Sequence, residues 1–296
     1  MQEHWRMPNQ IFGNDQAARM RQIAQQPCTT PSEGRAHLVS ITSGKGGVGK
    51  STISLNLAIA LADLGKRVLV FDADMNLGNI DIMLGIVPRF CISNVLRGEM
   101  DIEDVLISPC PGLYVLPGGS GGTGAPLLNA ETQNQLIEKL TSLEEPLDII
   151  LCDTSAGLTP EIVTYVVSSD ETILVTSTEP TAIMDAYAVI KVVSSIKPAH
   201  PLRVLFNNVR QPSEAEEAAK KLEMAVEHFL GRSITYIGMI PYDQHVASAV
   251  VQQQPLVRLF PTSGASLSIL SMAQRFARYA LRSTGSSTAR RSFAIL

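Results

Sequence analysis

The chain has 296 residues, 45% of them hydrophobic, and a formal net charge of −4, enough to bury the core of one large domain with short appendages. Cys28, Cys91, Cys110 and Cys152 lack C-x-x-C spacing and His4, His37, His200, His228 and His245 are dispersed, which excludes a recognisable zinc site or disulfide framework and fits a reducing cytoplasm. No start resembles a signal peptide and no apolar run is long enough to span a bilayer, so the expectation is a cytoplasmic protein, soluble or at most peripheral to a membrane.

Residues 1–34 are polar, carry Pro8, Pro27 and Pro31, and hold the only tryptophan, Trp5. Apart from a short helical segment over 15–24 they have no period that buries a face, and they read as an extension. From His37 onward apolar, β-rich runs alternate with helical ones. Strands are predicted over 37–42, 67–71, 113–116, 147–152, 172–175, 203–206 and 235–240, and helices over 53–62, 129–143, 181–196, 213–230 and 266–282. That alternation predicts an α/β fold with a mostly parallel twisted sheet flanked by helices on both faces.

Between the first strand and the first helix stands Gly44-Lys45-Gly46-Gly47-Val48-Gly49-Lys50-Ser51, which fits the phosphate-loop pattern G-x-x-x-x-G-K-[ST] and adds an early lysine. Glycines let successive backbone N–H groups turn towards phosphates, Lys50 supplies charge to the β and γ phosphates, and Ser51 offers a hydroxyl to Mg²⁺. With Thr52 this stretch is the predicted nucleoside-triphosphate site. Ligands of parallel sheets lie at the carboxyl ends of strands. There Asp153 follows an apolar run and is read as part of the Mg²⁺ shell, opposite Ser51. Asp74, in Phe71-Asp72-Ala73-Asp74, is read as the residue that orients the attacking water; a turn aspartate is the plainer alternative for either.

Gly118-Gly119-Ser120-Gly121-Gly122 formally satisfies the nucleophile-elbow pattern, but the glycines that follow cannot start the helix an elbow requires, so a loop beside the site is the better reading. Beyond Asp243 the chain contains no acidic residue and six arginines, Arg258, Arg275, Arg278, Arg282, Arg290 and Arg291. That end is a candidate for meeting something anionic. The broad apolar face over 266–282 and the basic-apolar residues 290–296 suggest peripheral membrane contact.

The phosphate loop with its early lysine, together with Asp72-Ala73-Asp74, Asn79-Ile80-Asp81 and Asp153-Thr154-Ser155-Ala156-Gly157, resembles the deviant-Walker-A ATPases of the MinD/ParA class over residues 38–281. The resemblance implies ATP and Mg²⁺ as ligands and a face-to-face homodimer in the ATP state. It also implies dimer-dependent hydrolysis, with Lys45 reaching the partner's nucleotide and Lys50 and Asp74 as the other catalytic groups. Asn207, Pro241 and Asp243 match adenine-contacting positions, with Asn208 competing with Asn207 for the contact.

Asp15-Gln16-Ala17-Ala18-Arg19-Met20-Arg21 further resembles the D-Q-A-x-x-L-R segment of the flagellar-number regulators FlhG (FleN), with Met20 in place of leucine. This implies that Asp15, Gln16, Arg19 and Arg21 bind and stimulate the signal-recognition-type GTPase FlhF. A flagellar transcription regulator or switch protein is a further implied partner. The expected organisation is a flexible partner-binding extension over 1–34, an ATPase domain over 35–283 and a basic-apolar tail over 284–296. MinD-type division-site placement and ParA-type DNA partitioning are the rival readings; the extension disfavours the first, and a pI near 5.8 makes a nucleic-acid partner the weaker expectation.

Overall fold

The computed structural model describes residues 35–75, 78–119, 129–143 and 147–283, the last five as backbone only. Eight strands form one sheet: β1 (His37–Ser43), β2 (Val68–Asp72), β3 (Ile107–Cys110), β4 (Leu113–Leu116), β5 (Ile149–Ala156), β6 (Glu171–Thr176), β7 (Leu202–Val209) and β8 (Thr235–Pro241). Their order is β3-β4-β2-β5-β1-β6-β7-β8. Every pairing is parallel except the short β3–β4 hairpin at one edge. Successive strands leave β1 first to one side and then to the other, so the topological switch point lies at the carboxyl end of β1, where such sheets bind ligands.

Alternate strand residues feed opposite faces. Val39, Ile41, Val68, Val70, Leu151 and Ile173 pack beneath α1 (Lys50–Asp63), within the same core as Ile269, Met272 and Phe276 of a long C-terminal helix. On the other face Leu69, Phe71 and Ile150 meet α5 (Ala130–Thr141), while Leu174, Val204 and Phe206 meet α6 (Pro160–Ser168), α7 (Pro180–Ile196) and α8 (Pro212–Leu230). Short helices α2 (Ile80–Leu84), α3 (Ile92–Leu96) and α4 (Ile102–Val105) follow β2; the short α9 (Gln244–Val251) and α10 (Leu256–Leu259) and then the long α11 (Gly264–Ser283) follow β8.

Three differences from the sequence reading bear on function. β5 runs on to Ala156, so Asp153 sits inside a strand rather than after it, and β7 runs on to Val209, so Asn207 and Asn208 are also strand residues. The apolar face of α11 is not free for a membrane: Ile269, Met272, Ala273, Phe276 and Ala277 are all buried in the core. The rest of the membrane expectation, residues 290–296, lies outside the described residues. No helix among the described residues is long and apolar enough to cross a membrane.

Candidate functional site

The loop from Gly44 to Gly49 joins β1 to α1 at the switch point, and its backbone accepts only glycine at several places. A Cβ at Gly44 would lie 2.5 Å from the Asp185 backbone, and one at Gly49 would lie 2.4 Å from Asn207 Nδ2. Gly47 and Gly49 hold φ of 76° and 92°, the left-handed region that side chains resist. Val48 O accepts a 2.7 Å bond from Asn207 Nδ2, so the end of β7 braces the loop from outside.

Lys50, the first residue of α1, is 9% exposed and donates to Ser43 Oγ at 2.9 Å; Ser43 Oγ in turn donates to the Lys45 carbonyl at 2.6 Å. Burial lowers its pKa, while the charges of Asp153 and Asp74 oppose that shift. Asp153 is 2% exposed and its Oδ1 accepts from Ser54 Oγ at 2.8 Å. Burial pushes its carboxyl up to about 6, against hydrogen bonds from Ser51 and Ser54 and the charge of Lys50. A serine hydroxyl and a carboxylate, already hydrogen-bonded to each other, are the hard oxygen donors that Mg²⁺ takes in small number alongside nucleotide phosphates. Ser51 and Asp153 therefore have the chemistry to fit a Mg²⁺ shell. Asp74 lies just past β2, where its charge acts on both Lys50 and Asp153.

An open cavity of about 390 Å³ extends from the loop. It is lined by the loop residues, Thr52, Asn207, Asn208 and the stretch from Pro241 to Gln244. Both asparagines reach it: Asn207 through the amide that braces Val48, Asn208 from a backbone at φ 61°. Asp243 borders the cavity, but its carboxylate is occupied. Oδ1 takes the His245 N–H at 3.0 Å and the His245 ring at 2.7 Å, and Oδ2 takes the Ala265 N–H at 3.1 Å. Those bonds hold its pKa down to about 2 despite some burial.

Lys45 stands apart from this cluster. Its side chain is 40% exposed, and its ammonium pairs with Glu179 and Thr181 at the start of α7, 3.4 Å from the Thr181 hydroxyl. The structure thus gathers Lys50, Ser51, Asp74 and Asp153 at one point and sets Lys45 on the rim. Asp15, Gln16, Arg19 and Arg21 lie outside the described residues.

Sequence reasoning passed over Asp72, Ser54 and Glu179. Asp72 is register partner to Asp153 across β2 and β5 and is 2% exposed. Burial and the neighbouring Asp153 raise its pKa to about 7, against three backbone N–H bonds. The one signal available was its place in the Asp72-Ala73-Asp74 run; nothing local announced Ser54 or Glu179.

A family model for the CobQ/CobB/MinD/ParA nucleotide binding domain matches residues 39–256. The antiactivator FleN of Pseudomonas aeruginosa is 38% identical over 238 residues, 80% of this chain and 85% of FleN. The flagellum site-determining protein YlxH of Helicobacter pylori is 34% identical over 265 residues, 88% of this chain and 89% of YlxH. The septum site-determining protein MinD of Pyrococcus horikoshii, solved with Mg-ADP, superposes with a TM-score of 0.71 at 25% identity, over 83% of this chain and 97% of that one.

Proposed function

This chain belongs to the CobQ/CobB/MinD/ParA family of nucleotide-binding domains, and on that premise we propose that it is an ATP-driven switch that dimerises around its nucleotide and regulates flagellar number or placement. The observation that carries the switch is the division of labour between two lysines. Lys50 is buried behind the phosphate loop, where it would serve its own nucleotide, whereas the Lys45 side chain is 40% exposed and pairs with Glu179 on the rim. A cation in that position gains a catalytic use when a second copy closes face to face and each Lys45 reaches the phosphates opposite, as an arginine finger does.

In this reading ATP lies with its phosphates on Gly44 to Thr52 and its base in the cavity by Asn207, Asn208, Pro241 and Asp243. Ser51 and Asp153 would hold Mg²⁺, which would neutralise phosphate charge. Asp74 orients the water that attacks the γ-phosphorus, and ADP and phosphate leave. Hydrolysis in the dimer resets the switch.

The flagellar assignment draws on similarity to FleN and YlxH and on the Asp15–Arg21 segment. Gln16 is proposed to act at the site of an FlhF-type GTPase, as glutamines orient water in GTPases, with Asp15, Arg19 and Arg21 making polar contacts around it. A flagellar transcription regulator or switch protein would read the ATP state. Peripheral contact with the inner face of the membrane would come from residues 284–296.

The test is to add the full-length chain to an FlhF-type GTPase. Stimulation of GTP hydrolysis is expected from the parent and not from Gln16→Ala, while ATP hydrolysis is equal in the two. No stimulation by the parent would remove the flagellar reading and leave the division-site role carried in the name of the MinD structure, whereas equal stimulation by both would refute the role given to Gln16.

A further inference from the structure

Asp72 has no part in the reaction as described above, yet it is among the most enclosed carboxylates of the chain. Its Oδ1 accepts the Asp74 N–H at 3.2 Å, and its Oδ2 accepts the N–H groups of Asn79 at 3.0 Å and Ile80 at 3.3 Å. One side chain thus holds the backbone on both sides, at Asp74 just past β2 and at Asn79 and Ile80 where α2 begins. Glycines close the grip from outside. A Cβ at Gly78 would lie 2.9 Å from Asp72 Oδ2, and a Cβ at Gly118 would lie 2.6 Å from the Asp72 carbonyl and 2.8 Å from the Asp74 carbonyl. The Gly78 N–H also bonds to Gly119 O at 3.3 Å. Backbone beside a carboxylate this crowded has little room to shift.

We propose that Asp72 is a positioning residue: its carboxylate ties the Asp74 N–H on one side and the Asn79 and Ile80 N–H groups on the other to the end of β2, and thereby places the Asp74 carboxylate to orient the attacking water. The proposal rests on the reading of Asp74 as the group that orients water. Three N–H donors on one carboxylate cannot be matched by an amide, which keeps one acceptor oxygen and turns an NH₂ group towards donors. Asp72→Asn should loosen Asp74, Asn79 and Ile80 while Lys50, Ser51 and Asp153 keep their own hydrogen bonds. Displacements of about 1 Å at a reacting group cost on the order of 10²-fold in rate.

The experiment is a double-mutant cycle on ATP hydrolysis by the full chain, read as kcat and KM for ATP and as the Mg²⁺ concentration giving half-maximal rate. Asp72→Asn should lower kcat by roughly 10- to 100-fold with KM and the Mg²⁺ requirement within about threefold. In an Asp74→Asn background the same change should cost less than about threefold, because the residue it places is already gone. Gly118→Ala, which crowds the Asp74 carbonyl and leaves every charge in place, should reproduce the loss in kcat and carries the test by itself if Asp72→Asn does not fold. Full activity of folded Asp72→Asn, an equal loss in the Asp74→Asn background, or a raised Mg²⁺ requirement with normal kcat at saturation would each overturn the proposal. Full activity of Asp74→Asn would instead refute the role given to Asp74.

Discussion

Two carboxylates, Asp72 at the end of β2 and Asp153 within β5, are register partners, and the fold shields both from water. For Asp72 burial first, then the Asp153 charge, raises the pKa from 3.8 to about 7; Asp153 rises to about 6. The folded state therefore holds the Asp72 proton more tightly than the unfolded state. Below the ordinary value of 3.8 both states are protonated; between there and about 7 only the folded one is, so the contribution of Asp72 to stability falls as pH rises through that window and stays low above it. Asp72→Asn removes this slope. Without metal or nucleotide, its melting temperature relative to the parent should rise between about pH 4 and about pH 8, and a pH-independent difference would contradict the burial argument. Ser51, Lys50 and Asp153 were legible in the sequence because phosphate-loop chemistry fixes local spacings and strand ends. The Asp72 grip was not, since it depends on register with a strand far along the chain and on glycines at 78 and 118.

Helix α1 shows how an element carries the site. From Ile53 to Ala62 it is buried all round, because the sheet lies on one side and α11 on the other, and such a helix has no polar stripe to announce its orientation. Its one buried amide, Asn56, accepts the Val257 N–H at 2.9 Å and donates to Thr52 O at 2.8 Å, pinning α10 to the phosphate-loop helix. Asn56→Ala leaves that buried N–H without its partner and should cost about 1–3 kcal/mol, seen as a lower urea midpoint at unchanged slope; an unchanged midpoint would refute the role. The long strands and helices were legible from periodicity. The nine-residue α6 was not, because Ile162, Val163, Val166 and Val167 read as β-formers; Pro160 at its first turn and the Thr159 side chain accepting the Ile162 N–H at 3.5 Å set it as a helix. The edge strand β3 was missed for a related reason, as Pro109 and exposed Ser108 interrupt its apolar pattern.

At the scale of the whole molecule the sheet sets Lys50, Ser51, Asp74 and Asp153 around one nucleotide site, and Lys45 on its rim is held by Glu179. The fold class followed from the alternation of elements, whereas the direction taken by Lys45 depends on a residue in a different element and had no sequence signal. An exposed ion pair of this kind is worth no more than about 1 kcal/mol, so a phosphate on a facing subunit can displace it. The central claim is that ATP closes two copies of this chain on each other. Sedimentation velocity of the Asp74→Asn protein, in which hydrolysis is slowed to a residual rate, measures that closure directly. With Mg-ATP the account predicts a species of twice the mass of one chain, reverting to a single chain with Mg-ADP and weakened by Lys45→Ala; a single chain under both nucleotides, or a dimer indifferent to nucleotide, would contradict it.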